Sequence, residues 1–263
     1  MSVPMKRWLT MKWTELQGHV DEKVAVLPIG SVEQHGPHLP LGTDSLIPVG
    51  LADRLAASAP NLADRLIMMP PVYHTYAKHS DFWPGTLNLD GDTLITFVRD
   101  VCQNTFRQGI TRVMALNGHM ESVQFILEGA RKALEVYPEA RFFLINWWDL
   151  VPDDLIDDLF GDRWPGWEME HAALTESSLM MALYPDLVLQ SDLPSDRPPE
   201  HLPFTVLPEP PSVRPRSGSY ADSRGASAEI GERLVAEITA GILRALQDHI
   251  LVMEAPSGGG DDT

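Results

Sequence analysis

Hydrophobic positions along the chain follow two rhythms. Short, dense apolar runs at 24–29, 66–72, 112–116 and 141–147 read as buried strands, the second closed by Pro70 and Pro71. Between them the spacing relaxes to the helical period. Residues 44–57 read as a helix with Asp44 as its N-cap, and 92–108 as one with Leu94, Phe97, Val98, Val101 and Phe106 along one side. A third helix is expected over 121–136, ending before Pro138. This β-α-β-α-β order predicts a three-layer α/β/α fold: a mainly parallel central sheet with helices on both faces, in a single domain.

Beyond residue 147 the rhythm is less regular. Residues 171–183 read as a helix, and 226–246 as a long amphipathic one with Ile230, Leu234, Ile238 and Ile242 on one face. The proline-rich stretch 191–219 reads as an irregular excursion from the same domain. One domain over 1–255 and a flexible tail over 256–263 is the expected division. The tail's glycines have no strand before them and no helix after, so they do not form a phosphate loop.

Charge and cysteine content narrow the partners. A net charge of −17 disfavours nucleic acid and anionic membrane, both of which select clustered Lys and Arg. The single cysteine, Cys102, excludes an internal disulfide, fits a reducing compartment and sits among apolar helix positions, as a core thiol would. No run reaches the roughly 18 apolar residues of a membrane span, and 1–12 lack a signal-peptide pattern, so a cytoplasmic protein is expected.

The chemistry gathers at two strand ends. The first strand runs into Glu33-Gln34-His35-Gly36-Pro37-His38, with Asp44 opening the next helix, and the third runs into Asn117-Gly118-His119-Met120-Glu121. In extended backbone, residues i and i+2 share a side, so each Glu/His pair can aim into one pocket. Imidazole with carboxylate suits zinc, manganese or cobalt, and the lack of cysteines argues against a closed structural zinc site. The five candidates Glu33, His35, Asp44, His119 and Glu121 exceed the needs of one catalytic ion. They suit two ions about 3.5 Å apart with Asp44 as the bridge. His38 is expected to orient a ligand by hydrogen bond, and His79 to reach the pocket wall. His19, His74, His201 and His249 stand without companions, at the surface or in the core.

These runs resemble the creatininase family (creatinine amidohydrolases and relatives). The resemblance continues, in order, through Pro84-Gly85-Thr86, Trp148-Asp149, Gly166-Trp167-Glu168-Met169-Glu170-His171 and the segment from Glu176 to Val188. It implies two divalent ions per chain, Zn²⁺ and/or Mn²⁺, on the five residues above. It implies His171 as proton shuttle supported by Glu170 or Glu176, Trp148 and Trp167 lining the pocket, and a homo-oligomer, hexameric as in creatininase. Two departures stand out. Met120 replaces a tyrosine of the family and so enters the substrate-contact set, and Ala172 and Ala173 replace glycines.

The expected reaction is hydrolysis of a cyclic amide, creatinine to creatine, by a metal-bridging hydroxide with His171 handling the proton. Paired tryptophans favour a planar, guanidine-like ligand. The alternatives are hydrolysis of a formamide or peptide-like amide on the same scaffold, and a non-catalytic metal-binding subunit. A dinucleotide oxidoreductase is excluded, because no Gly-x-Gly-x-x-Gly follows the first strand.

Overall fold

The computed structural model describes residues 5–18, 20–197, 206, 210 and 214–252. The expected tail, His19, His201 and part of the 191–219 excursion therefore lie outside the described residues. Among the described residues, five strands form one sheet in the order β1-β3-β2-β4-β5, every neighbouring pair parallel. They are β1 (Lys6–Arg7), β2 (Val24–Ile29), β3 (Leu66–Met68), β4 (Arg112–Asn117) and β5 (Arg141–Asn146). The helices are α1 (Thr43–Ser58), the short α2 (Pro60–Ala63), α3 (Gly91–Arg107), α4 (Val123–Leu134), α5 (Asp153–Phe160), α6 (Leu174–Leu183) and α7 (Ala228–Ala245). The two-residue β1 and the eight-residue α5 are too short to announce themselves by periodicity.

Strand alternation splits the core in two. Val24, Val26, Leu66, Met68, Met114 and Leu116 join the side chains of α1, α5, α6 and α7. Their neighbours Ala25, Leu27, Ile29, Ile67, Val113 and Ala115 join α3 and α4 on the other face. Leu94, Val98, Cys102 and Phe106 are the buried stripe of α3, whereas Phe97, expected among them, is 44% exposed. Burial pushes the Cys102 thiol up to about 12, as a core cysteine requires.

Several ends differ from expectation for local reasons. β3 stops at Met68 because Pro70 and Pro71 have no N–H for a ladder, and the chain returns only at a bridge between Val72 and Ile29. That bow also accommodates Pro28 in a central strand. Its carbonyl accepts from Val72 N on this edge, so its missing donor falls where the neighbour has pulled away. Asp44 is not an N-cap: Gly42 precedes the helix and Asp44 lies within its first turn. His171 does not open α6 either, because Ala172 takes the left-handed conformation (φ +53) and the helix starts at Leu174. Among the described residues no helix is long and apolar enough to cross a membrane.

Candidate metal centre and active site

The site lies beyond the carboxyl ends of β2 and β4, where open parallel sheets leave a crevice. Two glycines let α1 descend onto it. A Cβ on Gly30 would stand 2.3 Å from the Asp44 carbonyl oxygen, and one on Gly118 would stand 2.0 Å from the same atom. Only glycine permits so close an approach. After Gly30 the chain doubles back, with Glu33 N donating to Leu41 O (2.8 Å). Glu33, His35, Asp44 and His119 thereby converge, all buried.

Asp44 presents Oδ1 to His35 Nε2 at 2.9 Å and Oδ2 to His119 Nδ1 at 3.0 Å. Glu33 Oε2 stands 3.3 Å from His119 Nδ1, and its Oε1 3.2 Å from His79 Nε2 and 3.4 Å from His171 Nδ1. Glu33, Asp44 and His119 each offer one atom within a common 4.8 Å, as do His79, His119 and Glu121. Ligand atoms held on one ion at ~2.1 Å lie roughly 3.0–3.5 Å apart, so these spacings suit shared coordination.

The residues fit divalent metal on two counts. Glu33 Oε1 and Oε2, His35 Nε2 and Asp44 Oδ2 are buried without a well-formed hydrogen bond, an expensive state that coordination would relieve. The electrostatics agree. Burial opposes charge on His35, yet Asp44 and Glu176 hold it up to about 10. Burial likewise opposes charge on His119, yet Glu33 and Asp44 hold it up to about 9. Burial pushes the Glu33 carboxyl up, but His119, His79 and His171 keep it well below the usual range. The carboxylates demand positive charge, and protons on imidazole supply it where a cation would.

Glu121 meets the cluster differently from the extended-backbone expectation. Met120–Ser122 wind into a 3₁₀ turn, so Glu121 Oε2 reaches His79 Nδ1 (2.8 Å) and lies 4.0 Å from His119 Nε2. His119 Nε2 is held instead by the Tyr76 carbonyl at 2.8 Å, which orients the ring. His79 lines the cavity, as expected, and also bridges Glu33 and Glu121, which brings it among the candidate metal ligands. Its only sequence signal was a lone histidine before Phe82-Trp83-Pro84-Gly85-Thr86. His38 orients no ligand: its Nε2 pairs with Ser177 Oγ (2.8 Å) on α6, and burial brings it down to about 4.

His171 stands at the cluster's edge, its ring centroid 4.4 Å from that of His35. Its Nε2 faces Gln34 Nε2 at 2.9 Å and Gln34 O at 3.0 Å. Glu170 and Glu176 support the turn around it rather than the imidazole. Glu170 Oε1 accepts from Thr175 N and Oγ1 (both 2.6 Å), and Glu176 Oε2 accepts from Ala172 N (2.6 Å). Glu176 is the nearer of the two, sharing a 4.8 Å group with His171 and His35. Burial raises Glu170 to about 7 and Glu176 to about 8, the latter offset by His35.

A cavity of about 310 Å³ opens over these groups, lined by Trp147, Trp148 and Trp167 as well as by Asp44, His119 and His171. The indoles brace one another edge to face, Trp147 lying 5.7 Å from Trp148 and 5.8 Å from Trp167. Met120, 45% exposed, lies at the rim. Tyr220, unforeseen from sequence, lines the cavity with its ring 5.3 Å from His171. Ala172 and Ala173 are fully buried and do not line it, so their methyls pack into the core.

Comparison with known proteins agrees with this geometry. The creatininase family model, described as creatinine amidohydrolase, matches residues 9–246. The creatinine amidohydrolase of Pseudomonas putida is 33% identical over 253 residues, covering 91% of this chain and 95% of that one. A mycofactocin precursor peptide peptidase of Mycolicibacterium smegmatis is 30% identical, covering 87% of this chain and 86% of that one. The crystal structure of creatinine amidohydrolase superposes with a TM-score of 0.87 at 30% identity, covering 94% of this chain and 98% of that one. The manganese form of creatininase and the Zn–Zn type of a mutant creatininase superpose with TM-scores of 0.86. With the five-stranded parallel sheet, the buried carboxylate–imidazole cluster and a family match spanning nearly its whole length, this chain belongs to the creatininase family of amidohydrolases.

Proposed function

We propose that the chain is a dinuclear-metal amidohydrolase that opens a cyclic amide, converting creatinine and water to creatine. Glu33, His35, Asp44, His119 and Glu121 would hold two ions, Zn²⁺ or Mn²⁺, with Asp44 shared between them. The observation that carries the substrate reading is that Trp147, Trp148 and Trp167 line the same small cavity as Asp44, His119 and His171. Flat indole faces and edges suit a planar, partly cationic ring. Among the described residues, the groups lining the cavity include Glu121, Glu168, Glu170 and Glu176 and no Lys or Arg, which disfavours an anionic substrate.

Divalent cations in such a donor set activate water near neutral pH and polarise a carbonyl oxygen. The chain's own groups do the rest. Trp148 and Trp167 clamp the ring so that its carbonyl faces the cluster, and Met120 closes the rim. His171 exchanges protons at Nδ1, the nitrogen turned towards Glu33. It protonates the leaving nitrogen as the C–N bond breaks, and its proton is made good from the attacking water, so the balance closes on one water consumed. Glu170 and Glu176 tie down the 170–175 turn that carries it.

The test is metal-reconstituted protein incubated with creatinine, with creatine measured and chelated protein as control. Metal-dependent turnover is the expected result. Absence of turnover in protein holding two metals per chain would reject creatinine. A formamide or a peptide-like amide, the latter in keeping with the peptidase relative, would be tried next. Inertness to all three would favour a non-catalytic metal-binding subunit.

A further inference from the structure

Gln34 sits between two candidate ligands, Glu33 and His35, and has no part in the scheme above. Its side chain is nonetheless buried and fully engaged. Oε1 accepts from Gly36 N (3.1 Å), while Nε2 donates to the Gly218 carbonyl (3.0 Å). These contacts decide which end of the amide is which. Turned over, Oε1 would face the Gly218 oxygen and the amide N–H would face the Gly36 N–H, two repulsions in place of two hydrogen bonds. The fit is close: Gly218 has φ +93, and a Cβ there would stand 1.9 Å from Gln34 Oε1. The same segment is stitched to the histidine, because Tyr220 N donates to His171 O at 3.0 Å.

The second hydrogen on Gln34 Nε2 has His171 Nε2 before it at 2.9 Å. A ring nitrogen facing an N–H donor must offer its lone pair, which leaves the hydrogen of the neutral ring on Nδ1. The Gln34 backbone carbonyl, 3.0 Å from the same nitrogen, would favour the opposite tautomer. It is the weaker influence. With Nε2 protonated, two N–H groups 2.9 Å apart would force their hydrogens together, whereas with Nε2 bare the ring and carbonyl lone pairs face each other at 3.0 Å, an electrostatic repulsion without a steric clash. Nδ1 then carries its hydrogen 3.4 Å from Glu33 Oε1, on the side of the cluster.

We propose that Gln34 is a positioning residue that sets the tautomer of His171, keeping the hydrogen on Nδ1 so that the ring meets the cavity as a donor. This rests on the reading of His171 as the proton-bearing group of the site.

Zn²⁺-loaded protein labelled with ¹⁵N-histidine tests it directly by long-range proton–nitrogen correlation, with His171→Gln identifying the signals. A bare Nε2 and a protonated Nδ1 are expected, and a protonated Nε2 overturns the proposal whether or not creatinine is a substrate. The Gln34→Met variant, similar in length but without the donor, should retain zinc and KM within about threefold. Its kcat should fall roughly 10- to 100-fold, the usual penalty for removing a group that orients another. Unchanged kcat in folded, zinc-replete Gln34→Met protein also overturns it. If the wild type hydrolyses no amide, the functional reading fails while the nitrogen spectrum still decides the tautomer.

Discussion

Gly118 rests against the backbone of Asp44 so closely that a methyl on it would stand 2.0 Å from the Asp44 carbonyl oxygen. One strand end and the first turn of α1 are thus in main-chain contact, which brings the Asp44 carboxylate between His35 and His119. Gly118→Ala should push α1 away from β4. We expect a loss of about 3 kcal/mol in stability, at the upper end for overpacking because backbone cannot swing aside. Metal retention should fall with it. Denaturant melts and metal analysis of the purified variant measure both, and a wild-type melt would show that α1 adjusts freely.

Removing metal should soften the whole domain. A ligand that binds only the native state adds about 2.7 kcal/mol when present at 100 times its Kd. Chelation should therefore lower the Tm by several degrees, and Zn²⁺ or Mn²⁺ should restore it. In Asp44→Asn the carboxylate proposed to serve both ions is gone, so both metal content and the chelator-sensitive part of Tm should drop together.

His171→Ala should retain two metals per chain and lose turnover by roughly 10²- to 10⁴-fold, the range of general acid–base catalysis. Turnover surviving in that variant would remove His171 from the proton path.

Glu170 links stability to pH. Burial lifts its carboxyl from an ordinary value near 4.5 to about 7 in the native protein, against the hydrogen bonds from Thr175 and Glu176. The folded state therefore binds this proton more tightly than the unfolded chain. Its contribution is complete below pH 4.5 and is lost as pH rises through 7, at most about 3 kcal/mol across the window. Glu170→Gln keeps an oxygen to accept from Thr175 and has no charge to bury. It should flatten the decline in stability between pH 5 and 8, measured by denaturant melts at each pH. An unaltered slope would assign that decline to other groups.

Legibility in the sequence followed the physics of each element. The strands β2, β4 and β5 and helices α3 and α7 carry long periodic patterns, and burial rewards the pattern itself, so they emerged nearly as read. β1 and α5 are held by the surface they join, and the turn at 171–173 by buried carboxylates six residues or fewer away, none of which leaves a periodic trace. That Glu33, His35 and His119 belong together was legible because ligand types in alternation at a strand end have little other use, and the structure brings them into one buried cluster. Glu121 was placed by the same alternation, but a 3₁₀ turn at Met120 redirects it to His79.

What the sequence alone determined was the alternation of strands and helices from β2 to β5, the two strand ends that carry the candidate ligands and the family resemblance, because these rest on local spacing. The tertiary structure decided what spacing cannot encode. It brought His79, some forty residues from either motif, onto Glu33 and Glu121, and it set Gln34 against His171 across 137 positions of chain. It also turned Trp147, Trp148 and Trp167 into one wall. Each of these depends on how parallel strands stack and how closely glycines let main chains approach, a property of the packed molecule and not of any segment within it.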